Sequence, residues 1–274
     1  MNAIRNVFAN LKILGNGALI GYITAGDPDP EFTPKIAEAL VKGGVDILEL
    51  GLPFSDPIAD GPTIQEASLR ALNARTTPQV VLELAKQVRQ NHDVPVVIMT
   101  YFNPVFRMGL EKFFGAAKDC KVDGVIVPDL PFEEADQYRT SVAEFGLDTI
   151  FLAAPSTTDD RLHRIVVCSS GFLYLVSHFG VTGAKSTVES STIQLVKRVR
   201  TFTQGRVSLA VGFGVSKPEH VKSILSAGAD GVIVGSAFVN IISRNLLCRK
   251  KMLAGIESTA RVLKQATLHY LSPS

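Results

Sequence analysis

GADGVIVG at 228–235 repeats a phrase already met as GVDILELG at 44–51, KVDGVIVPD at 121–129 and GLDTIFLA at 146–153. Each version reads as a loop residue or two, an aspartate, then a short apolar run. The recurrence points to a repeated helix-to-strand connection, although the match is too loose to establish an internal duplication. Working outward from these phrases, strand-like runs fall at 18–24, 46–51, 95–100, 123–127, 148–152, 171–176, 207–211 and 230–234. Most are nearly continuous in Val, Ile and Leu, the pattern of parallel strands buried on both faces.

Stretches of helical period separate them. Ala135, Tyr138, Val142 and Phe145 share one face of the fourth helix, and Val221, Ile224 and Leu225 share one face of the seventh. The seventh opens on Ser216-Lys217-Pro218-Glu219, a capping-box pattern, and stops at Gly228. Before the first strand, Ile4, Val7, Phe8 and Leu11 mark a short amphipathic helix. Eight such βα units in 274 residues predict an α/β fold: a (β/α)8 barrel, or TIM barrel, with an extra N-terminal helix. An open doubly wound sheet would want a Gly-rich dinucleotide fingerprint after the first strand, and Thr24-Ala25-Gly26-Asp27-Pro28 is no such turn. No Pro/Gly/Ser-rich linker interrupts the pattern, so residues 1–274 are read as one domain.

The composition is 46% hydrophobic and 20% charged, enough for a large core and against disorder. With 28 basic and 26 acidic residues the net charge is +2, which gives no footprint for nucleic acid or an anionic membrane. Cys120, Cys168 and Cys248 are odd in number and far apart, so a disulfide scaffold or thiolate metal site is not expected. Without a membrane-length apolar run, the expected location is a reducing cytoplasm.

In such a barrel the chemistry sits on the loops that follow the strands. Two are long, at 52–62 and 177–190, and the first belongs to the densest chemical signal, LELGLPFSDPIADG at 48–61. Glu49 stands in an otherwise apolar strand and shares a face with Ile47 and Gly51. Burial there should raise its pKa, which suits a carboxyl group that both gives and takes protons; the plain alternative is a structural Glu satisfied by its neighbours. A second carboxylate opposite it would stabilise a cation developing on the substrate. Asp27, Asp56, Asp60 and Asp129 are all placed for that role, each also a candidate turn or helix cap, and the residues alone do not rank them. Small-residue loops at Gly183-Ala184, 211–214 and Gly235-Ser236 follow strands six, seven and eight, where backbone N–H groups and a helix N-terminus favour phosphate. His92, His163, His178, His220 and His269 are scattered and mostly expected to face solvent; only His178 lies on one of the two long loops that follow strands. No metal-ligand spacing, Ser-His-Asp set or strand-end Lys appears, which leaves carboxyl acid–base chemistry without metal or organic cofactor.

LELGLPFSDPIADGPTIQEAS at 48–68 closely resembles the signature of the tryptophan synthase alpha subunit family. YITAGDPDP at 22–30, MTYFNPVF at 99–106, VPDLPFEE at 127–134, LVSHFGVTGA at 175–184, VGFGVS at 211–216 and GVIVGSAFV at 231–239 match in the same order. The resemblance implies retro-aldol cleavage of indole-3-glycerol phosphate to indole and glyceraldehyde 3-phosphate. It also implies a beta-subunit partner that carries pyridoxal phosphate, receives the indole and assembles as α2β2. It places the acid–base role on Glu49 and the second carboxylate on Asp60. The indole wall would be Tyr22, Tyr101, Ile126, Leu152, Tyr174 and Phe213, with Thr182 closing toward Asp60. Phosphate would rest on Gly183, Gly212, Gly214, Gly235 and Ser236, and the partner on Pro53, Asp56, Asn103, Phe106 and Pro131. Two positions depart from the family: His178 where well-known members carry Arg, and Tyr22 in place of a common Phe. A stand-alone lyase releasing free indole would use the same residues. A catalytically dead barrel kept only to bind the partner is opposed by the intact Glu49 and Asp60.

Overall fold

A computed structural model describes residues 3–176, 190–212 and 214–270. Its nine strands are all parallel: β1 (Ala18–Thr24), β2 (Ile47–Gly51), β3 (Val96–Met99), β4 (Gly124–Ile126), β5 (Asp148–Ile150), β6 (Leu152–Ala153), β7 (Phe172–Val176), β8 (Ser208–Gly212) and β9 (Gly231–Val234). Their order, β5-β4-β3-β2-β1-β9-β8-β7-β6, runs round a barrel whose apparent seam lies between β5 and β6. Those two segments are one stretch of chain parted only by Phe151, whose carbonyl accepts the Tyr174 N–H at 3.0 Å. The fold is therefore the expected eight-stranded barrel, with its fifth strand broken by one residue.

Alternation along the strands sorts the core into two layers. Ile20, Ile47, Val97, Ile126, Ile150, Phe172 and Ile233 fill the barrel interior. Leu19, Leu48, Leu50, Val96, Ile98 and Val125 face outward, where they pack on helix residues such as Ile36, Leu40, Val81 and Ile256. The helices are α1 (Ala3–Ile13), α2 (Thr33–Lys42), α3 (Pro62–Asn73), α4 (Pro78–Asn91), α5 (Phe102–Met108), α6 (Leu110–Asp119), α7 (Asp136–Glu144), α8 (Asp159–Cys168), α9 (Ser190–Thr203), α10 (Pro218–Ser226), α11 (Ser236–Arg244) and α12 (Arg249–Gln265). The amphipathic face of α1 plugs the N-terminal end of the barrel: Ile4 and Phe8 join the interior cluster. α11 is the extra short helix between β9 and α12, and its first turn lies at the opposite mouth.

Two local expectations need correction. The 216–219 pattern forms no capping box: Pro218 at the first turn fixes extended Lys217 as the cap, with no side-chain cap bond. The Ser216 N–H donates instead to His220 Nδ1 at 3.4 Å. His220 is accordingly buried rather than solvent-facing.

The recurring aspartate has a physical job. Asp46, Asp123 and Asp230 each stand just before a strand and clasp the neighbouring strand at two points. The backbone N–H of each donates to the carbonyl of Leu19, Val96 or Leu209, at 2.9, 2.8 and 2.8 Å. The carboxylate in turn accepts the N–H of the same residue, at 2.7, 2.8 and 2.7 Å. Each carboxylate also meets a cation from the helical layer: Lys264, Arg89 and Arg200 respectively. Asp148 repeats the backbone part of the pattern, donating to the Asp123 carbonyl, and Ser170 Oγ accepts the N–H of Thr149. Asp123→Ala strands the Val96 N–H and should lower stability by about 1–3 kcal/mol. Urea unfolding checks this; an unchanged midpoint would show the clasp to be dispensable.

Candidate active site

Glu49 pairs in register with Tyr22 of β1 and Val97 of β3, and its side chain follows Ile47 onto the inner face. It is fully buried, and neither carboxylate oxygen has a hydrogen-bond partner among the described residues. An ionised carboxylate is costly in such a place. Burial first, and the charge of Asp60 second, push the Glu49 pKa up to about 8.

Asp60 ends the loop after β2, immediately before Gly61 and α3. It does not serve as a side-chain cap for that helix. Its Oδ2 accepts the Tyr101 hydroxyl proton at 3.0 Å, and the same hydroxyl oxygen accepts the Ala59 N–H at 2.9 Å. Burial raises the Asp60 pKa to about 6, with the Tyr101 hydrogen bond opposing the rise. The two carboxyl groups are thus pushed to different proton affinities, Glu49 holding its proton to the higher pH.

The structure ranks the four aspartates that sequence could not. Asp27 is committed to a bidentate pair with Arg70 at 2.7 and 2.8 Å. Asp129 accepts the Phe102 N–H at 2.9 Å and so joins the loops after β3 and β4. Asp56 is exposed beside Ser55. Asp60 alone of the four lines the cleft with Glu49.

That cleft holds about 580 Å³ of empty space, its open mouth included. Tyr22 and Tyr174 form aromatic walls, and Gly214, Gly235 and Ser236 gather at one side with the start of α11. The phenol rings fit because glycine stands opposite each. A Cβ at Gly51 would lie 2.2 Å from the Tyr22 hydroxyl, and one at Gly212 would lie 2.3 Å from that of Tyr174. Gly212 is thus a packing partner of Tyr174 rather than a wall of the described cleft. Ile126 and Leu152 likewise do not line it; Ile126 belongs to the barrel interior and Leu152 packs against it. Tyr101 reaches the cleft through Asp60. Ile64, Met99, Gly61 and Ile233 line it without having been singled out. Met99 and Ile233 share the inward alternation of Val97 and Gly235, a signal the sequence did carry. Thr182, Gly183, His178 and Phe213 lie outside the described residues. At the rim Asp56, Asn103, Phe106 and Pro131 are exposed, but Pro53 is buried.

A pair of carboxyl groups with split proton affinities lines a cleft at the C-terminal mouth of a (β/α)8 barrel, the end where enzymes of this fold carry their active sites. The sequence model of the family described as tryptophan synthase alpha chain matches residues 8–268. The chain is 46% identical to the tryptophan synthase alpha chain of Methanoregula boonei over 266 residues, covering 97% of this chain and 98% of that one. It is 50% identical to that of Methanosarcina barkeri over 261 residues, covering 95% of each. The crystal structure of the alpha chain from Legionella pneumophila superposes with a TM-score of 0.88 at 35% identity, covering 97% of both chains. The chain belongs to the tryptophan synthase alpha chain family, and is with it a lyase of tryptophan biosynthesis. No helix among the described residues is long and apolar enough to cross a membrane.

The Glu49 carboxyl also couples the site to stability. In the unfolded chain it ionises near 4.5, whereas in the fold it keeps its proton up to about 8. Between those values the native state binds the extra proton, so stability falls as pH rises through the window. Glu49→Gln has no such proton to lose. The mutant's Tm relative to the wild type should therefore climb from roughly pH 5 to roughly pH 9. A constant difference would mean that Glu49 ionises normally.

Proposed function

We propose that Glu49 and Asp60 carry the retro-aldol cleavage of indole-3-glycerol phosphate to indole and glyceraldehyde 3-phosphate. The supporting observation is the facing pair itself: a buried carboxyl that holds its proton near neutrality and a neighbour that does not. Glu49 gives its proton to the indole C3, and the positive charge spreads to the ring nitrogen. Asp60, ionised and held by Tyr101, accepts the ring N–H and offsets that charge. The Glu49 carboxylate then takes the proton of the glycerol hydroxyl beside the scissile bond. The carbon–carbon bond breaks, its electron pair returns to the indole, and the hydroxyl carbon leaves as the aldehyde. One proton is given and one recovered, so the enzyme ends as it began.

The apolar walls provided by Ile64, Met99 and Ile233, with Tyr22 and Tyr174, suit the indole ring. The phosphate belongs at Gly214, Gly235 and Ser236, where the first turn of α11 offers backbone N–H groups and the positive end of its dipole. The family resemblance adds Gly183 and Gly212 to that reading.

The family implies a beta-subunit partner, and we place it on the exposed rim of Asp56, Asn103, Phe106 and Pro131, in an α2β2 assembly. Pyridoxal phosphate in this reading belongs to the partner. Phe54 stacks on Tyr101 with ring centroids 5.2 Å apart, and Tyr101 holds Asp60. A partner pressing on this loop thus reaches the second carboxylate through one ring and one hydroxyl, which links docking to activity.

Glu49→Gln should fold and lose roughly 10²–10⁴-fold in cleavage rate. The wild-type kcat/KM should trace a bell, rising as Asp60 ionises near 6 and falling as Glu49 ionises near 8. Near-normal turnover in the mutant would remove Glu49 from the mechanism. Cleavage assayed with and without a beta subunit tests the coupling. Asp56→Ala should reduce the acceleration that the partner confers while leaving the isolated chain's slow rate intact; equal losses in both conditions would exclude Asp56 from it.

A further inference from the structure

The end of the barrel remote from Glu49 carries a second, differently charged cleft. It lies where α1 crosses the foot of the sheet, between the entrances to β7 and β8, and measures about 1010 Å³ with its mouth. Its walls include Arg5 and Lys12 from α1, Arg200 from the end of α9 and Arg206 from the turn before β8, against one carboxylate, Asp230. Arg200 is occupied: it pairs with Asp230 at 2.8 Å, the aspartate that clasps β8. Lys12 and Arg206 are exposed and make no ion pair among the described residues. Three elements distant in sequence thus bring an excess of positive charge around one concavity, in a chain whose net charge is only +2.

We infer that this cleft binds a small phosphate-bearing anion, a phosphomonoester or pyrophosphate group held between Lys12 and Arg206. Arg5 and Lys12 are seven residues apart on α1, two turns along one face, and Phe8 between them is anchored in the barrel interior. Phe8 also packs on Phe172, with ring centroids 5.9 Å apart, so the helix that presents the cations is fixed rather than fraying. The guanidinium of Arg206 offers paired N–H donors suited to phosphate oxygens, and Lys12 adds a point charge. The Ser208 side chain at the wall adds a neutral hydroxyl. The concave shape and limited size select a compact anion over a polyanionic strand or a lipid surface, which would need an extended basic face. The cations are solvated, so binding is weak and falls with ionic strength.

The site is tested on the full, isotope-labelled chain by amide NMR during titration with sodium pyrophosphate, with sodium chloride at matched ionic strength as the control. The amides of Ser170, Gly171, Gly205 and Arg206 should shift along one saturable curve. Those of Gly235 and Ser236 report separately on the active-site mouth. Combining Lys12→Ala with Arg206→Ala, both exposed positions, should weaken the first response at least about tenfold and leave the second unchanged. Shifts confined to Gly235 and Ser236, no shift beyond the chloride control, or undiminished affinity in the double variant would each overturn the assignment.

Discussion

A parallel strand closed into a barrel has no face left for water, and that constraint shapes the site. Every residue of β2 is buried, and of its inward positions Ile47, Glu49 and Gly51 only the middle one, Glu49, carries a charge. Nothing among the described residues offers its oxygens a hydrogen bond, and the proton affinity of the carboxyl rises as a result. Had Glu49 been one residue earlier or later, alternation would have turned it into the helix–sheet layer, where no cleft opens. The chemical property therefore comes from strand geometry more than from any neighbour built to tune it.

Asp60 shows the complementary case. It sits on a loop and keeps partial contact with solvent; burial raises its proton affinity, and the Tyr101 hydroxyl that donates to it opposes the rise. The group with the higher proton affinity stands on the sheet, and the group with the lower one stands on a loop. Because Tyr101 also receives the Ala59 N–H and lies under Phe54, the position of Asp60 is tied to the packing of the loop as a whole. This is the arrangement in which a partner at the rim can alter chemistry without entering the cleft.

Much of this was legible in the sequence, for reasons that differ by residue. The strands announced themselves because double burial forces runs of Val, Ile and Leu, and the repeated aspartate because Asp46, Asp123 and Asp230 each secure a strand to its neighbour at its foot. Glu49 stood out as a charge where burial is unavoidable. Asp60 did not, because a loop aspartate looks the same whether it caps a helix, turns the chain or faces a substrate; only the family resemblance favoured it. Ile126 and Leu152 were expected at the indole wall from the resemblance alone; both face the barrel interior, and depth along the strand, which a sequence pattern does not encode, keeps them out of the lining of the described cleft. His220 was misjudged for a related reason: it follows the cap residues of α10, and only the return of the helix onto the sheet buries it.

The two ends of the barrel divide stability from chemistry. At the strand entrances, Asp46, Asp123 and Asp230 are paired with cations and backbone N–H groups, so their charges are satisfied and hold neighbouring strands in register. At the strand exits, Glu49 has neither cation nor donor among the described residues, and its ionised form works against the fold. The same residue type, a carboxylate beside a strand, stabilises where it is answered and becomes reactive where it is not. A barrel can carry such an unanswered group because the clasps, the interior layer and the α1 plug lie elsewhere and hold the fold without it.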